Sequence, residues 1–304
     1  MISDHTHFKT GDEIVFTTRG FYHPERKIKA IPLYKQSLNG GLEKSVDEFG
    51  DKWFYQTHPS WIQESSFGRG IFVPTSEITE TYDPFKSEEI IKRMEDEVAI
   101  QIISFLQEIG IDKKDIGLLG SYLFYTGRKP HDVDLIVRGK DNLNLVKDSF
   151  KKLLTSIDGR NSPSEEYIRK SIPRYEEKYN SNFNDFVGMI RRRWPTIRVP
   201  GKFFGKIRFT YKINEVPILE PPLGEVAANR VISGRVIEDS GTSFMPRHFQ
   251  MKSDGQQIRV LTYFWDYSYC VKRGDKTVLR GDYYPENQMF ILSNPKHHGL
   301  RFID

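Results

Sequence analysis

The sequence predicts an α+β protein, in which a mixed sheet covered by helices is flanked by a β-rich N-terminal domain and a small C-terminal β-barrel. Three observations lead to this reading. Up to about residue 86, short runs rich in aromatic and β-branched residues alternate with polar ones. Apolar residues then fall at helical spacing around two short apolar runs. Beyond about residue 221, five strand-like runs return at the spacing of a small barrel. The expected domains are therefore 1–86, 87–220 and 221–304.

In the first segment, 13–23, 27–35, 51–58 and 70–74 are read as strands, and Asn39-Gly40-Gly41 as a turn. At Ser87 the texture changes: Glu88 and Glu89 suit a first helical turn, and Ile91, Met94, Val98, Ile102, Phe105 and Ile109 share a face before Gly110. The spacing predicts one helix there and another over 143–157. Strands are expected at 116–119, 132–137 and 206–213, and helical pieces over 163–199. Pro221-Pro222 within 218–224 reads as a linker. In the last segment 230–237, 258–263, 267–272, 276–283 and 288–292 are the expected strands of a five-stranded Greek-key barrel of the oligonucleotide-binding kind.

Composition narrows the class. A chain of 304 residues with 38% hydrophobic, 13% aromatic and 28% charged residues buries a sizeable core and is not a disordered protein. One cysteine, Cys270, forms neither an intramolecular disulfide nor a cysteine zinc site. The first residues carry no secretion-signal pattern and no stretch reaches about 18 apolar residues, so a cytoplasmic protein without membrane association is expected. A net charge of +4 does not by itself indicate a nucleic-acid partner.

The chemistry concentrates in Leu118-Leu119-Gly120-Ser121 and, ten residues on, Asp132-Val133-Asp134-Leu135-Ile136. Acids two apart on a strand face the same side, so both carboxylates can meet one pair of divalent cations, which would stabilise both the attacking hydroxyl and the leaving pyrophosphate of an in-line displacement, and burying them in an apolar run is costly otherwise. Gly120 lets backbone approach a phosphate, to which the Ser121 hydroxyl can donate. Arg128 and Lys129 lie in the intervening loop, where they could meet a triphosphate or simply face solvent, as could His131.

This Gly-Ser turn followed by Asp-x-Asp resembles the signature of the DNA polymerase β-like nucleotidyltransferase superfamily. Gly20-Phe21-Tyr22-His23-Pro24, Val73-Pro74, Tyr82-Asp83-Pro84 and the core up to Gly139 extend the likeness to a mostly archaeal group of predicted nucleotidyltransferases. The resemblance implies a nucleotidyltransferase-like core that moves a nucleoside monophosphate from an NTP, such as ATP, to a hydroxyl with Mg²⁺ or Mn²⁺. Asp132 and Asp134 would be the metal ligands, and Gly120 and Ser121 would hold the triphosphate. The superfamily's third carboxylate has no counterpart in the strand at 206–212, and Glu215 is the nearest candidate.

A second feature is the run of basic residues Arg191, Arg192, Arg193, Arg198, Lys202, Lys206, Arg208 and Lys212, interleaved with Trp194, Phe203, Phe204, Phe209 and Tyr211. Cations with aromatic platforms suit RNA or another single-stranded nucleic acid, and equally a core with a solvated charged face. The aromatic run 263–269 is open to the same two readings. A protein acceptor is a further alternative to RNA, and a nucleic-acid-binding protein with an inactive core is the alternative to a transferase.

Overall fold

The computed structural model describes residues 3–36, 42–44, 52–65, 70–92, 94–124, 132–179, 182–267 and 269–303. The chain is mixed α+β and divides into two compact units with interleaved segments: residues 1–46, 73–162 and 195–217 form one, and residues 47–72, 163–194 and 218–304 the other. Among the described residues no helix is long and apolar enough to cross a membrane.

The first unit contains two sheets. In the N-terminal sheet, Ile78–Tyr82, His7–Thr10, Val15–Thr18 and Lys27–Gln36 lie side by side and pair antiparallel. Both faces are buried: Phe8, Phe16, Ile28 and Ala30 occupy one phase, His7, Thr17, Arg19 and Lys29 the other. The second sheet runs Thr196–Val199, Phe203–Thr210, Val133–Arg138, Ile116–Leu119. Its outer pairings are antiparallel and its middle one is parallel. Val133, Leu135, Val137, Ile207 and Phe209 form the buried phase of the two central strands, and the helices Glu97–Glu108 and Lys140–Ser156 contribute Ile102, Leu106, Val146 and Leu153 to the core. At Gly205 a side chain would meet the Val133 carbonyl oxygen at 2.3 Å, so only glycine lets these strands approach.

The second unit holds a closed five-stranded barrel. Ala227–Glu238, Arg247–Ser253, Gln256–Thr262, Met289–Leu292 and Lys276–Tyr284 follow one another around the ring, and Lys276–Tyr284 pairs back to Ala227–Glu238. All pairings in the ring are antiparallel except Gln256–Thr262 with Met289–Leu292. Gly299–Ile303 adds to Lys276–Tyr284. One core joins barrel residues such as Phe249, Val260 and Phe290 to Ile168, Tyr175, Met189 and Ile190 of the helices Glu165–Lys178 and Phe186–Arg192.

Several expectations are corrected. Residues 51–58 were expected as a strand, but Lys52–Thr57 is a helix, where Phe54 stacks on His58 four residues on, at 4.9 Å. In place of the expected strand 267–272 there is a 3₁₀ turn at Trp265–Tyr267, the described residues 269–272 carry no strand, and Arg247–Ser253 is the unforeseen strand. Its alternation was hidden because Arg247 takes a buried position beside Phe249 and Met251. The single helix expected after Ser87 is two, Glu88–Lys92 and Glu97–Glu108, the second restarted by Asp96, whose carboxylate accepts from Ala99 N at 2.9 Å. Thr196–Val199 is a strand rather than a helical piece. The turn expected at Asn39-Gly40-Gly41 lies outside the described residues.

Candidate functional site

Asp132 immediately precedes the strand Val133–Arg138, and Asp134 is its second residue. Both sit in the phase opposite the helices, half-buried, while Val133 and Leu135 face the core. The neighbouring strand Ile116–Leu119 ends beside them, with Leu119 in register with Asp134. Gly120 follows in a left-handed conformation, φ +67°, and among the described residues a side chain there would meet nothing within 4 Å. The short helix Ser121–Phe124 then begins. The Ser121 side chain, Arg128, Lys129 and His131 lie outside the described residues.

Across the sheet the parallel neighbour brings cations to the carboxylates. Lys206 is the register partner of Asp134, and Arg208, two residues on, shares that face. The Arg208 guanidinium donates to Asp134 Oδ2 at 3.1 Å, with both side chains about a fifth exposed (18% and 21%). Two groups of the N-terminal sheet feel this site. Burial, reinforced by the Asp132 and Asp134 charges, pushes the Tyr34 hydroxyl up to about 12. Burial lowers His7 to about 3; a hydrogen bond with the His5 backbone opposes this, and the Arg208 charge adds to it. Burial, with the charges of Asp96 and Asp132, also raises Tyr122. Neither Tyr34 nor His7 was singled out in the sequence. The available signal was a strand phase carrying His, Thr, Arg and Lys where a buried sheet normally has apolar residues.

Glu215, the candidate third acid, is placed at the opposite end of the strand. Its Oε2 accepts from the backbone N–H of Lys140 and of Lys212, both at 3.0 Å, so it caps the helix Lys140–Ser156, whose own N-cap is Gly139. Four residues of strand, about 13 Å, separate that end from Asp134. Beside it, Asp115 binds Arg138 and Lys212, each at 3.0 Å.

The basic run is not one exposed face. Arg191 pairs with Glu165 at 2.8 Å and Arg192 with Asp275 at 2.7 Å. Arg193 is buried against Asp266, which also accepts from Tyr179 at 2.6 Å and Lys178 at 3.1 Å. Burial drives the Asp266 carboxyl up, and the Lys178 and Arg193 charges overcome that and hold it well below the usual range. Arg198 reaches the Asn161 carbonyl, and its guanidinium lies over Phe204 at 5.3 Å. Lys202 is exposed, and Lys206 and Arg208 belong to the carboxylate site. The binding residues expected from sequence thus fall in two units, three of them paired inside the second. In the aromatic run, Tyr263, Phe264 and Tyr267 are core.

Among the described residues no three His, Cys, Asp or Glu converge to hold a metal. With Arg208 already on Asp134, the donor set does not fit a pair of ions. Asp132 and Asp134 offer neighbouring carboxylate oxygens, the donor type that a divalent ion with phosphate and water among its other ligands would use. No protein-family model, curated protein or solved structure matches the chain.

Proposed function

We propose that the first unit is a nucleotidyltransferase that moves a nucleoside monophosphate from an NTP to a hydroxyl acceptor. The observation carrying this reading is that Asp134, on a central strand, and Asp132, immediately before that strand, lie beside the left-handed Gly120 turn. The sheet's mixed order and its helices on the opposite face agree with the resemblance read from the sequence. Asp132 and Asp134 would hold Mg²⁺ or Mn²⁺ bound to the triphosphate, and the ion would offset phosphate charge. Gly120, with no side chain, lets the phosphates approach the backbone, and Lys206 and Arg208 supply fixed positive charge on the same face, so catalysis is chiefly positioning and electrostatic stabilisation.

A specific observation favours a second reading. Among the described residues, the Arg208–Asp134 ion pair and the placement of Glu215 leave the site short of the third carboxylate, as in a nucleic-acid-binding protein with an inactive core. In that reading the barrel, whose ring order with one parallel pairing suits the oligonucleotide-binding kind, would carry the binding.

One experiment separates the two. The full chain is incubated with each α-labelled NTP, Mg²⁺ or Mn²⁺, total RNA and cell protein, beside Asp132→Ala/Asp134→Ala. Label transferred by the wild type and lost in the double variant is the expected result, and the size of the labelled product identifies RNA or protein as acceptor. Absence of transfer with either metal, with RNA bound alike by both proteins, overturns the transferase in favour of the binding protein.

A further inference from the structure

A strand sends alternate side chains to one face, so the outer surface of the barrel follows row by row from the register of its strands. In one row Lys252, Arg235, Lys276 and Ile303 are successive partners across Arg247–Ser253, Ala227–Glu238, Lys276–Tyr284 and Gly299–Ile303. Two residues along, Ser233, Val278 and Arg301 form the next row, and Val231, Arg280 and Gly299 the third. The opposite phase, with Thr277, Leu279 and Leu300, is buried. On the outer phase Lys252, Arg235, Lys276 and Arg301 are exposed and Arg280 is half-buried.

These rows hold five cations and no acid. Lys252, Arg235 and Lys276 stand in direct register on neighbouring strands about 4.8 Å apart, where like charges repel and opposite ones would stabilise. None of the five makes an ion pair among the described residues: Arg235 donates to the Gly274 carbonyl at 3.0 Å, and Arg280 Nε is buried with no hydrogen-bond partner. The acids next along the chain are engaged elsewhere. Asp275 holds Arg192 at 2.7 Å and the Lys272 N–H at 2.8 Å, and Asp282 accepts from Asn229 N at 3.2 Å and lies 3.4 Å from His298.

We propose that this outer face, centred on the first and fourth strands of the barrel and the added strand Gly299–Ile303, binds the phosphate backbone of a single-stranded nucleic acid. The inference rests on the reading that the barrel carries nucleic-acid binding, and it deepens that reading by naming the face, which lies away from the one formed by the second and third strands that such barrels commonly use. Phosphates supply the negative charge that the rows lack, and the arginine fork meets their oxygens in pairs. Val231, Val278 and Ile303 alternate with the cations and suit the uncharged sugars between phosphates. No aromatic side chain stands in these rows, so the contact is to the backbone and reads no base. The ring order, which suits the oligonucleotide-binding kind, favours a nucleic acid over an acidic protein segment.

The test is fluorescence anisotropy of the full chain with a labelled oligouridylate of about twelve nucleotides, titrated at several salt concentrations without metal or NTP. Wild-type binding is expected with a log–log slope of about 3 in magnitude, because about four phosphates meet cations. In Lys276→Gln/Arg280→Gln/Arg301→Gln the affinity falls about tenfold or more and the slope drops to about 1. In Lys147→Gln/Lys151→Gln/Lys170→Gln, which removes the same charge from exposed helix positions, the wild-type slope is kept. Should the first variant not fold, Lys276→Gln/Arg301→Gln, at two exposed positions, decides: a loss of about fivefold upholds the face and unchanged affinity overturns it. Unchanged binding in the folded triple variant overturns this face and leaves the nucleic-acid reading of the barrel standing, whereas no oligouridylate binding by the wild type overturns both. Polyglutamate that displaces the probe better than unlabelled oligouridylate of equal charge overturns the nucleic acid in favour of an acidic protein segment. None of these outcomes depends on label transfer, so the transferase reading is tested apart.

Discussion

Glu215 is a case where residue type was legible and role was not. It is an acid close in sequence to the strand that should carry one, yet its carboxylate closes a helix that starts 75 residues earlier. Glu215→Gln is therefore expected to cost about 1 kcal/mol in urea denaturation while leaving NTP affinity and label transfer unchanged. A collapse of transfer in a variant of near-normal stability would restore Glu215 to the catalytic set. His7 gives a pH signature. Its ring stays neutral in the fold down to about 3, whereas the unfolded chain protonates it near 6.5. The unfolded state thus binds more protons below 6.5, so this contribution is complete above that pH and is lost as pH falls toward 3. The slope reaches about 1.4 kcal/mol per pH unit. Urea midpoints between pH 7 and 5 should fall less steeply in His7→Asn than in the wild type, and parallel slopes would contradict the assignment.

Among elements, the legible ones declare themselves locally. The run Val133–Arg138 and the glycine turn at 120 are written in adjacent residues, as is the amphipathic Lys140–Ser156. Partnerships across the chain are not: Arg191, Arg192 and Arg193 find their acids 26, 83 and 73 residues away, so a run with no acid of its own read as a free cationic surface. The pair Arg193 and Asp266 ties the segment after Phe186–Arg192 to the barrel's irregular connection. Asp266→Leu, which strands the Arg193 guanidinium and the Lys178 ammonium, should destabilise by about 3–5 kcal/mol, whereas Arg193→Met and Lys178→Met together with Asp266→Leu should recover most of that loss. Thermal denaturation of both variants checks this, and equal loss in the two would mean that packing rather than charge is at stake. At the Gly120 turn, alanine would clash with none of the described residues but would lack backbone freedom, since φ is +67°. Gly120→Ala should cost about 1–2 kcal/mol, measured by chemical denaturation.

At the scale of the whole molecule, a net charge of +4 is dispersed over two units and much of the basic run is neutralised internally. Any RNA binding should accordingly show a shallow salt dependence, with a log–log slope of about 3 or less in magnitude, because few phosphates meet unpaired cations. A slope of about 6 would overturn this reading of the basic run. The α+β class and the C-terminal barrel were legible because they follow from composition and the return of strand-like runs. The interleaving of the units was not, because it depends on which distant strands pair.

The barrel's single parallel pairing also governs how this unit is built. Gln256–Thr262 and Met289–Leu292 cannot meet through a hairpin, and the Thr262 hydroxyl bonds the Leu292 carbonyl 30 residues on. Arg247–Ser253 and Gln256–Thr262 are joined by a tight turn and can zip first. The ring must wait for Lys276–Tyr284 to be laid down between its neighbours, a closure that loses chain entropy before any contact repays it. Refolding should therefore be limited by ring closure, with amide protection arising early in 247–262 and late in 289–292.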